Sequence, residues 1–182
     1  MSSHYSIEHH KHRLAAWAAS RAASTSPLCR FKVEKGIWIL ESSGFDGKFS
    51  SLSSLPHPED LNECHRNWRN QIIKSAQNHE YHFTHGVAAK LINCYLKVRF
   101  VCGGHHDDFR VKALHPPIDA VLLKALASEN FGDHATEWRK FKKARWSKFD
   151  SNTYEAVISL IQDSLPKGQP LWQIEEHWKG HQ

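Results

Sequence analysis

The stretch over residues 83–97, FTHGVAAKLINCYLK, constrains the fold more than any other part of the chain. A turn over residues 84–86 opens it. The apolar residues that follow are spaced three or four apart, as in a helix that buries one stripe of its surface: Val87, Leu91, Cys94, Tyr95 and Val98. Lys90, Asn93 and Lys97 fall on the other side, also at helical spacing. The stretch therefore predicts an amphipathic helix with a polar stripe led by a lysine.

Helical spacing of apolar residues recurs in five further segments, 6–23, 58–78, 118–128, 137–145 and 151–164. Ser6 and Ser151 stand where N-caps are expected. In four of these segments, one set of residues is predicted to share a helix face. The sets are Leu14, Trp17, Ala18 and Arg21 in the first; Leu61, Cys64, Trp68, Ile72 and Ala76 in the second; Leu114, Ile118, Val121, Leu122 and Ala125 in and before the third; and Tyr154, Val157, Ile158 and Ile161 in the last. Arg66, Arg69 and Lys74 are predicted to face outward. Residues 171–178 predict a short last helix.

Three segments are less regular. Residues 31–45 fit neither the helical nor the strand period cleanly, and we favour a helix. Residues 44–58 are rich in serine and predict a long loop. Residues 99–113 contain Gly103-Gly104, which predicts a turn and a small β-hairpin. Residues 24–27, Ser-Thr-Ser-Pro, are predicted to end the first helix. The chain as a whole reads as all-α, with seven to nine helices.

The length of 182 residues suits a single helical domain, with residues 1–58 as an N-terminal layer packed on residues 59–182. Forty per cent hydrophobic residues, seven of them tryptophan, are enough for a sizeable core. The formal charge of +5 with neutral histidines favours polyanionic partners, and DNA leads that list. The N-terminus has no apolar signal core, and no apolar run reaches transmembrane length. We therefore expect an intracellular, cytoplasmic protein without a membrane partner.

The familiar cofactor and metal motifs are absent from the sequence. The four cysteines form no CxxC pair, which leaves no zinc-ribbon or iron–sulfur pattern, and Cys94 is expected to be a buried free thiol. His105-His106-Asp107-Asp108 is too loose a pattern to predict a metal site. No Walker loop, GxGxxG or GxSxG occurs. We therefore expect no metal and no cofactor, and these motifs give no support to a nucleotide hydrolase or a serine hydrolase.

A basic run over residues 138–148, WRKFKKARWSK, is the strongest candidate for contact with a polyanion. Its cations are predicted to neutralise phosphates while an aromatic residue stacks on a base: Arg139, Lys140, Lys142, Lys143, Arg145 and Lys148. The alternative is a solvated helix whose aromatic residues, Trp138, Phe141 and Trp146, pack inward.

Two short segments resemble the helix-hairpin-helix DNA glycosylases. His85-Gly86-Val87-Ala88-Ala89-Lys90, followed by Asn93, is similar to the hairpin and second helix of that family. Pro117-Ile118-Asp119 is similar to the step that precedes its catalytic aspartate. The resemblance covers residues 83–126, about a quarter of the chain. Ala88 replaces the second hairpin glycine, and Ala120 and Val121 replace the threonine and histidine that follow the aspartate.

The resemblance implies an all-α fold of the glycosylase type and a bifunctional glycosylase and AP lyase. Lys90 would be the nucleophile that forms a Schiff base with the sugar, and Asp119 would assist it. The backbone N–H groups of Gly86, Val87 and Ala88 would face a DNA phosphate, and Asn93 would orient the lysine or a phosphate. Lys97 would join the DNA-binding residues. The alternative is a non-catalytic helical module of the same fold that binds DNA or protein.

Overall fold

A computed structural model describes residues 5–24 and 29–180. These residues form α-helices joined by short 3-10 and π-helical segments, and they contain no strand. The all-α prediction is confirmed. The helices are α1 (Ile7–Ala23), α2 (Val33–Ser42), α3 (Phe45–Lys48), α4 (Leu61–Gln77), α5 (His85–Leu96), α6 (Phe109–Lys112), α7 (Ala120–Ser128), α8 (Ala135–Ala144) and α9 (Ser151–Ser164).

Helix α5 lies at the centre of the molecule. Every one of its residues after His85 is buried, including Lys90 and Asn93 on its polar side. Helices α1 and α4 pack along it, and α9 and the segment Trp146–Lys148 contact it as well. A helix surrounded in this way must satisfy its polar side chains with protein partners, because water cannot reach them.

Helix α1 packs through small residues instead of its large apolar ones. Ser6 caps it by accepting a hydrogen bond from the His9 N–H at 3.3 Å, as predicted. Its buried face carries four alanines, which lets α1 approach α5 closely. The predicted face turns outward: Leu14 and Trp17 are 51% and 52% exposed. Of the predicted helix-ending residues, Thr25, Ser26 and Pro27 lie outside the described residues.

The serine-rich segment is part of the core and not a simple loop. It contains α3 and the 3-10 helix Leu52–Ser54. Phe45 and Phe49 are fully buried and pack edge to face with ring centroids 5.0 Å apart. The Phe45 carbonyl accepts a hydrogen bond from the Tyr95 hydroxyl at 3.0 Å. Burial of these two rings outweighs the loop-forming tendency of the serines around them.

No β-hairpin forms over residues 99–113. The chain leaves α5 as a π-helical segment, Lys97–His105, and then forms α6. Arg99 is buried and pairs with the carboxylate of Glu8 on α1, which anchors this turn of helix to the core. Gly104, at φ 90°, breaks the helical conformation one residue before the segment ends at His105. The glycine pair therefore acts as a helix terminator and not as a hairpin turn.

Arg69 contradicts the predicted outward face of α4. It is fully buried, donates to Glu155 of α9 at 2.5 Å, and lies 4.5 Å from the centre of the Tyr154 ring. The predicted apolar stripe of α4 is confirmed except at half-buried Cys64. Arg69 is therefore drawn inward by a carboxylate and an aromatic ring that the sequence places more than eighty residues away.

The last third of the chain closes over the end of α5. The apolar stripe of α9 is buried as predicted, although its N-cap is Asp150 and not Ser151. In α7, Leu122 is buried but Val121 is 41% exposed. Helix α8 packs on α7, and the last helical segment of the described residues is the 3-10 helix Leu171–His177. Within the described residues, no helix has both the length and the apolar character needed to cross a membrane.

Candidate active site

The fold brings Lys90 and Asp119 together. Nζ of Lys90 lies 2.9 Å from Oδ2 of Asp119, and the two side chains are 7% and 18% exposed. Lys90 comes from the second turn of α5, whereas Asp119 is the N-cap of α7. The two residues are twenty-nine positions apart in the sequence. Their contact is a nearly buried ion pair at the junction of two helices.

Three donors hold the Asp119 carboxylate. Oδ1 accepts the backbone N–H of Leu122 at 2.9 Å, which is the N-cap hydrogen bond of α7. Oδ2 accepts the Lys90 ammonium and also the indole N–H of Trp178 at 3.0 Å. These donors favour the charged form and outweigh burial, so the pKa of Asp119 is lowered. Asp119 is therefore an anion at neutral pH.

Lys90 is held as a cation. Burial acts to lower its pKa, but the nearby Cys94 sulfur and the Asp119 carboxylate act in the other direction and prevail, so the pKa of Lys90 is raised. We assign the effect to Asp119, because burial raises the pKa of the Cys94 thiol and keeps it neutral. A lysine nucleophile needs a lowered pKa in order to lose its proton near neutral pH. In the free protein the opposite holds, because its carboxylate partner is in direct contact.

Aromatic and charged residues surround the pair. The Lys90 ammonium lies 6.0 Å from the centre of the Trp146 ring, a cation–π distance. Lys97, two turns further along the chain, pairs with Glu175 of the C-terminal 3-10 helix. Burial raises the pKa of Glu175 despite this lysine. An open cleft of about 620 Å³ adjoins Lys97 and Glu175 and is also lined by Trp172 and Gln173.

The three N–H groups predicted to face a phosphate at the start of α5 are hydrogen-bonded inside the protein. Gly86 donates to the Phe149 carbonyl at 3.1 Å, Val87 to the Thr84 hydroxyl at 3.2 Å, and Ala88 to the Thr84 carbonyl at 3.0 Å. All three residues are buried. Gly86 is needed for packing, since a Cβ there would lie 1.8 Å from the Trp146 carbonyl oxygen.

Asn93, also predicted among the DNA-binding residues, lies in the protein interior. It is 1% exposed and belongs to a buried hydrogen-bond network. Its amide N–H₂ donates to the Pro116 carbonyl and to the Tyr154 hydroxyl, both at 2.9 Å, and its oxygen accepts from Nε2 of His65 at 2.7 Å. Lys97 is half-buried and engaged by Glu175. The Asn93 amide is therefore fully used within the protein, whereas Lys97 lies at the open cleft beside Glu175.

The basic residues of the 138–148 run remain available. Arg139, Lys140, Lys142, Lys143 and Arg145 are all exposed, and none forms an ion pair with another described residue. Trp138 is fully buried and Trp146 nearly so, as the inward-packing alternative predicted. The cations therefore form an exposed basic surface while the aromatic residues anchor α8 to the core.

Sequence reasoning missed Trp178 as a residue of the site, and it named Trp146 in the basic run without connecting it to Lys90. Both lie far from Asp119 and Lys90 in the sequence, and Trp178 belongs to no motif. Their only signal is the density of tryptophan in the last forty-five residues, which marks a packed C-terminal region without naming a contact. Among the described residues, no group of three or more histidine, cysteine, aspartate or glutamate side chains is arranged to hold a metal ion.

Comparisons with known proteins provide no relative. No family model, no curated protein and no solved structure matches the chain.

Proposed function

We propose that this protein acts on DNA as a glycosylase and AP lyase, with Lys90 as the nucleophile and Asp119 as its partner, on a fold of the helix-hairpin-helix glycosylase type. The observation that carries the proposal is the contact of 2.9 Å between Lys90 and Asp119. A resemblance in two separate segments named these two residues as a pair, and they meet in space at the start of a helix that follows a proline pair. A solvated surface lysine would have no reason to be buried there.

The chemistry needs a neutral Lys90 amine. The Lys90 proton would pass along the hydrogen bond to Oδ2 of Asp119, and the amine nitrogen would attack C1′ of the deoxyribose. The bond from C1′ to the base would break, and the base would leave with the electron pair and take the proton from Asp119, which restores the carboxylate. The ammonium formed at Nζ would pass one proton to the sugar ring oxygen as the ring opens, which gives an iminium ion between Nζ and C1′. Water would then take up a C2′ proton, a double bond would form between C2′ and C3′, and the 3′ phosphate would leave with the electron pair of the C3′–O bond, which nicks the strand. Asp119 would stabilise the positive charge that develops on the sugar.

Access to Nζ requires movement at the C-terminal segment. The Trp178 indole N–H and the Lys90 ammonium share Oδ2 of Asp119, and the Trp146 ring centre lies 6.0 Å from that ammonium. A sugar approaching Lys90 would therefore displace the indole of Trp178 from Asp119. The base must also leave the DNA stack to reach this site.

The basic surface of α8 is the proposed contact with the DNA backbone. Each phosphate that a cation neutralises releases a counterion, so binding should weaken steeply with salt. Replacing Lys140 or Lys143 with alanine should reduce the salt slope by about one each, with little dependence on DNA sequence. This surface also supports the second candidate, a DNA-binding module without chemistry, because its cations need no active site.

Borohydride trapping tests the proposal. The protein is incubated with duplex DNA that carries one abasic site, in the presence of sodium borohydride, which reduces the iminium ion to a stable amine. Wild type should form a covalent adduct, and Lys90→Ala should not. Lys97→Ala is the matched control, because Lys97 lies on the same helical stripe and is also ion-paired; it should still form the adduct.

Three results separate the candidates. An adduct that needs Lys90 but not Lys97 supports the enzyme. An adduct that still forms in Lys90→Ala shows that another residue is the nucleophile, and it overturns the assignment of Lys90. Salt-dependent DNA binding without any adduct identifies the binding module, and loss of that binding on replacement of the α8 lysines then places the contact.

A further inference from the structure

We infer that Asn93 is a positioning residue that sets Asp119 against Lys90 through the carbonyl oxygen of Pro116. The inference deepens the proposed function, since it concerns the same pair. Asn93 lies one turn after Lys90 on α5, and both residues project from the same side of that helix. It is connected to Asp119 by the chain itself, because Pro116 precedes Asp119 by three residues.

The orientation of the Asn93 amide is fixed by its partners. The Pro116 carbonyl can only accept a hydrogen bond, so the amide N–H₂ must face it, at 2.9 Å. The amide oxygen then faces Nε2 of His65 at 2.7 Å, and that nitrogen must carry the proton. The remaining amide hydrogen is donated to the Tyr154 hydroxyl. Both amide hydrogens and the amide oxygen of Asn93 are therefore hydrogen-bonded, and the side chain has one orientation.

The segment between Pro116 and Asp119 transmits that arrangement. Pro116 and Pro117 have fixed φ angles, and Ile118 is buried in the core. The segment is therefore stiff, and holding the Pro116 carbonyl against α5 fixes where α7 begins. Asp119, its N-cap, is thereby delivered to Lys90. A displacement of about 1 Å in a catalytic group costs on the order of a hundredfold in rate. Loss of the hydrogen bond from Asn93 to the Pro116 carbonyl should therefore slow the reaction.

Two hydrogen bonds of His115 belong to the same buried network, but they do not connect Asn93 to Asp119. His115 lies 3.0 Å from the Tyr154 hydroxyl through Nδ1 and 3.0 Å from Asn62 through Nε2. Loss of the Tyr154 hydroxyl would leave Asn93 and His115 each without one partner, yet would keep the bond from Asn93 to Pro116. Tyr154→Phe is therefore the matched control for Asn93→Leu, which removes that bond without adding charge.

The experiment uses NMR to monitor the position of Asp119, and it does not depend on activity. The indole N–H of Trp178 donates to Asp119, so its proton resonance, assigned with Trp178→Phe, should shift upfield when that bond is lost. Asn93→Leu should shift it as Asp119→Ala does, whereas Tyr154→Phe should leave it in place. In trapping assays, Asn93→Leu should lower the adduct rate at saturating DNA by about a hundredfold, with unchanged DNA affinity.

The two readouts keep the two claims apart. If wild type forms no adduct, the proposed function fails, and the indole resonance alone decides the role of Asn93. An unmoved resonance in Asn93→Leu, or an equal shift in Tyr154→Phe, overturns the positioning role even where an adduct forms. Should Asn93→Leu not fold, Asn93→Ser provides the same comparison, because a serine hydroxyl is too short to reach the Pro116 carbonyl.

Discussion

Trp178 donates its indole N–H to Oδ2 of Asp119 at 3.0 Å, the same oxygen that receives the Lys90 ammonium. One carboxylate oxygen thus joins the C-terminal segment to the centre of the fold. The arrangement keeps Asp119 charged and covers the lysine at the same time. This arrangement explains why a lysine with almost no exposed surface can remain an ammonium ion. The ammonium and the carboxylate lie within hydrogen-bond distance of each other, and the indole N–H occupies the second lone pair of Oδ2.

Removing the charge of Asp119 should destabilise the fold. In Asp119→Asn the side chain can still cap α7, but Lys90 becomes a buried cation without a counter-charge. We expect a loss of about 3 kcal/mol in the free energy of unfolding at pH 7, measured by urea denaturation. Asp150→Asn is the control, since Asp150 caps α9 through Thr153 in solvent, and it should change stability far less. Equal losses in the two variants would contradict a special role for the ion pair.

The pH dependence of adduct formation should report the pKa of Lys90. Because that pKa is raised, the fraction of neutral amine in wild type grows throughout the range below it, and the rate should rise continuously from pH 6 to 9. In Asp119→Asn the hydrogen-bonded carboxylate is gone and burial is opposed only by the more weakly coupled Glu175 carboxylate, so the pKa of Lys90 falls. The rising limb should then move to lower pH while the maximal rate falls. An unmoved limb would show that Lys90 is not the titrating group.

Mild acid should destabilise the protein through two buried histidines. Burial, with nearby cationic groups, lowers the pKa of His115 to about 3 and that of His65 well below its usual value. The unfolded chain takes up a proton at each near pH 6.5, so it binds more protons than the folded protein, and stability falls as pH falls. Each histidine should contribute about 1.4 kcal/mol per pH unit below pH 6.5.

Urea denaturation at pH 7, 6 and 5 measures this slope. His115→Gln removes one of the two protonation sites, and its slope between pH 6 and 5 should be about 1.4 kcal/mol shallower, whatever its stability at pH 7. The paired carboxylates Asp108 and Glu155 have pKa values of about 2 and add to acid unfolding mainly at lower pH. A slope that is the same in the variant would mean that His115 is already protonated in the folded state.

Gly86→Ala should disrupt the contact between α5 and the Trp146 segment. The new Cβ would lie 1.8 Å from the Trp146 carbonyl oxygen, so backbone must move, and the Trp146 ring beside Lys90 moves with it. We expect a loss of about 3 kcal/mol, seen by thermal or urea unfolding. Gly47→Ala is the control, because nothing lies within 4 Å of its Cβ position, and alanine in α3 should be neutral or stabilising.

Arg145 combines a strained backbone with an exposed cation. Its φ of 65° and ψ of 116° lie in a region that favours glycine. Arg145→Gly should therefore raise stability by about 1 kcal/mol while weakening DNA binding at low salt. Arg139→Gly removes an equivalent charge from the interior of α8 and should lower stability by about 1 kcal/mol. Melting temperatures that shift in the same direction would contradict the strain at Arg145.

Periodicity in the sequence was enough to predict the helices that have a one-sided apolar stripe. The stripes of α4 and α9 lie inward, and α5 forms where a helix was predicted, although His85 and Gly86, predicted as part of a turn, are already its first two residues. Periodicity failed where partners distant in sequence decide burial. Arg69 goes inward because Glu155 is there, and residues 99–105 continue as helix because Arg99 is anchored to Glu8. Trp17 goes outward because four alanines let α1 pack closely.

For the site, the sequence by itself singled out Lys90 and Asp119 and showed where the basic run lies. Residue type and position within a helix are local properties, so a short stretch of sequence is enough to predict them. Only the tertiary structure decided that Lys90 and Asp119 touch, that Trp178 covers them, and that the N–H groups of Gly86, Val87 and Ala88 are used within the protein. These are contacts between segments separated by tens of residues, and the free energy that selects them comes from burial of the whole core.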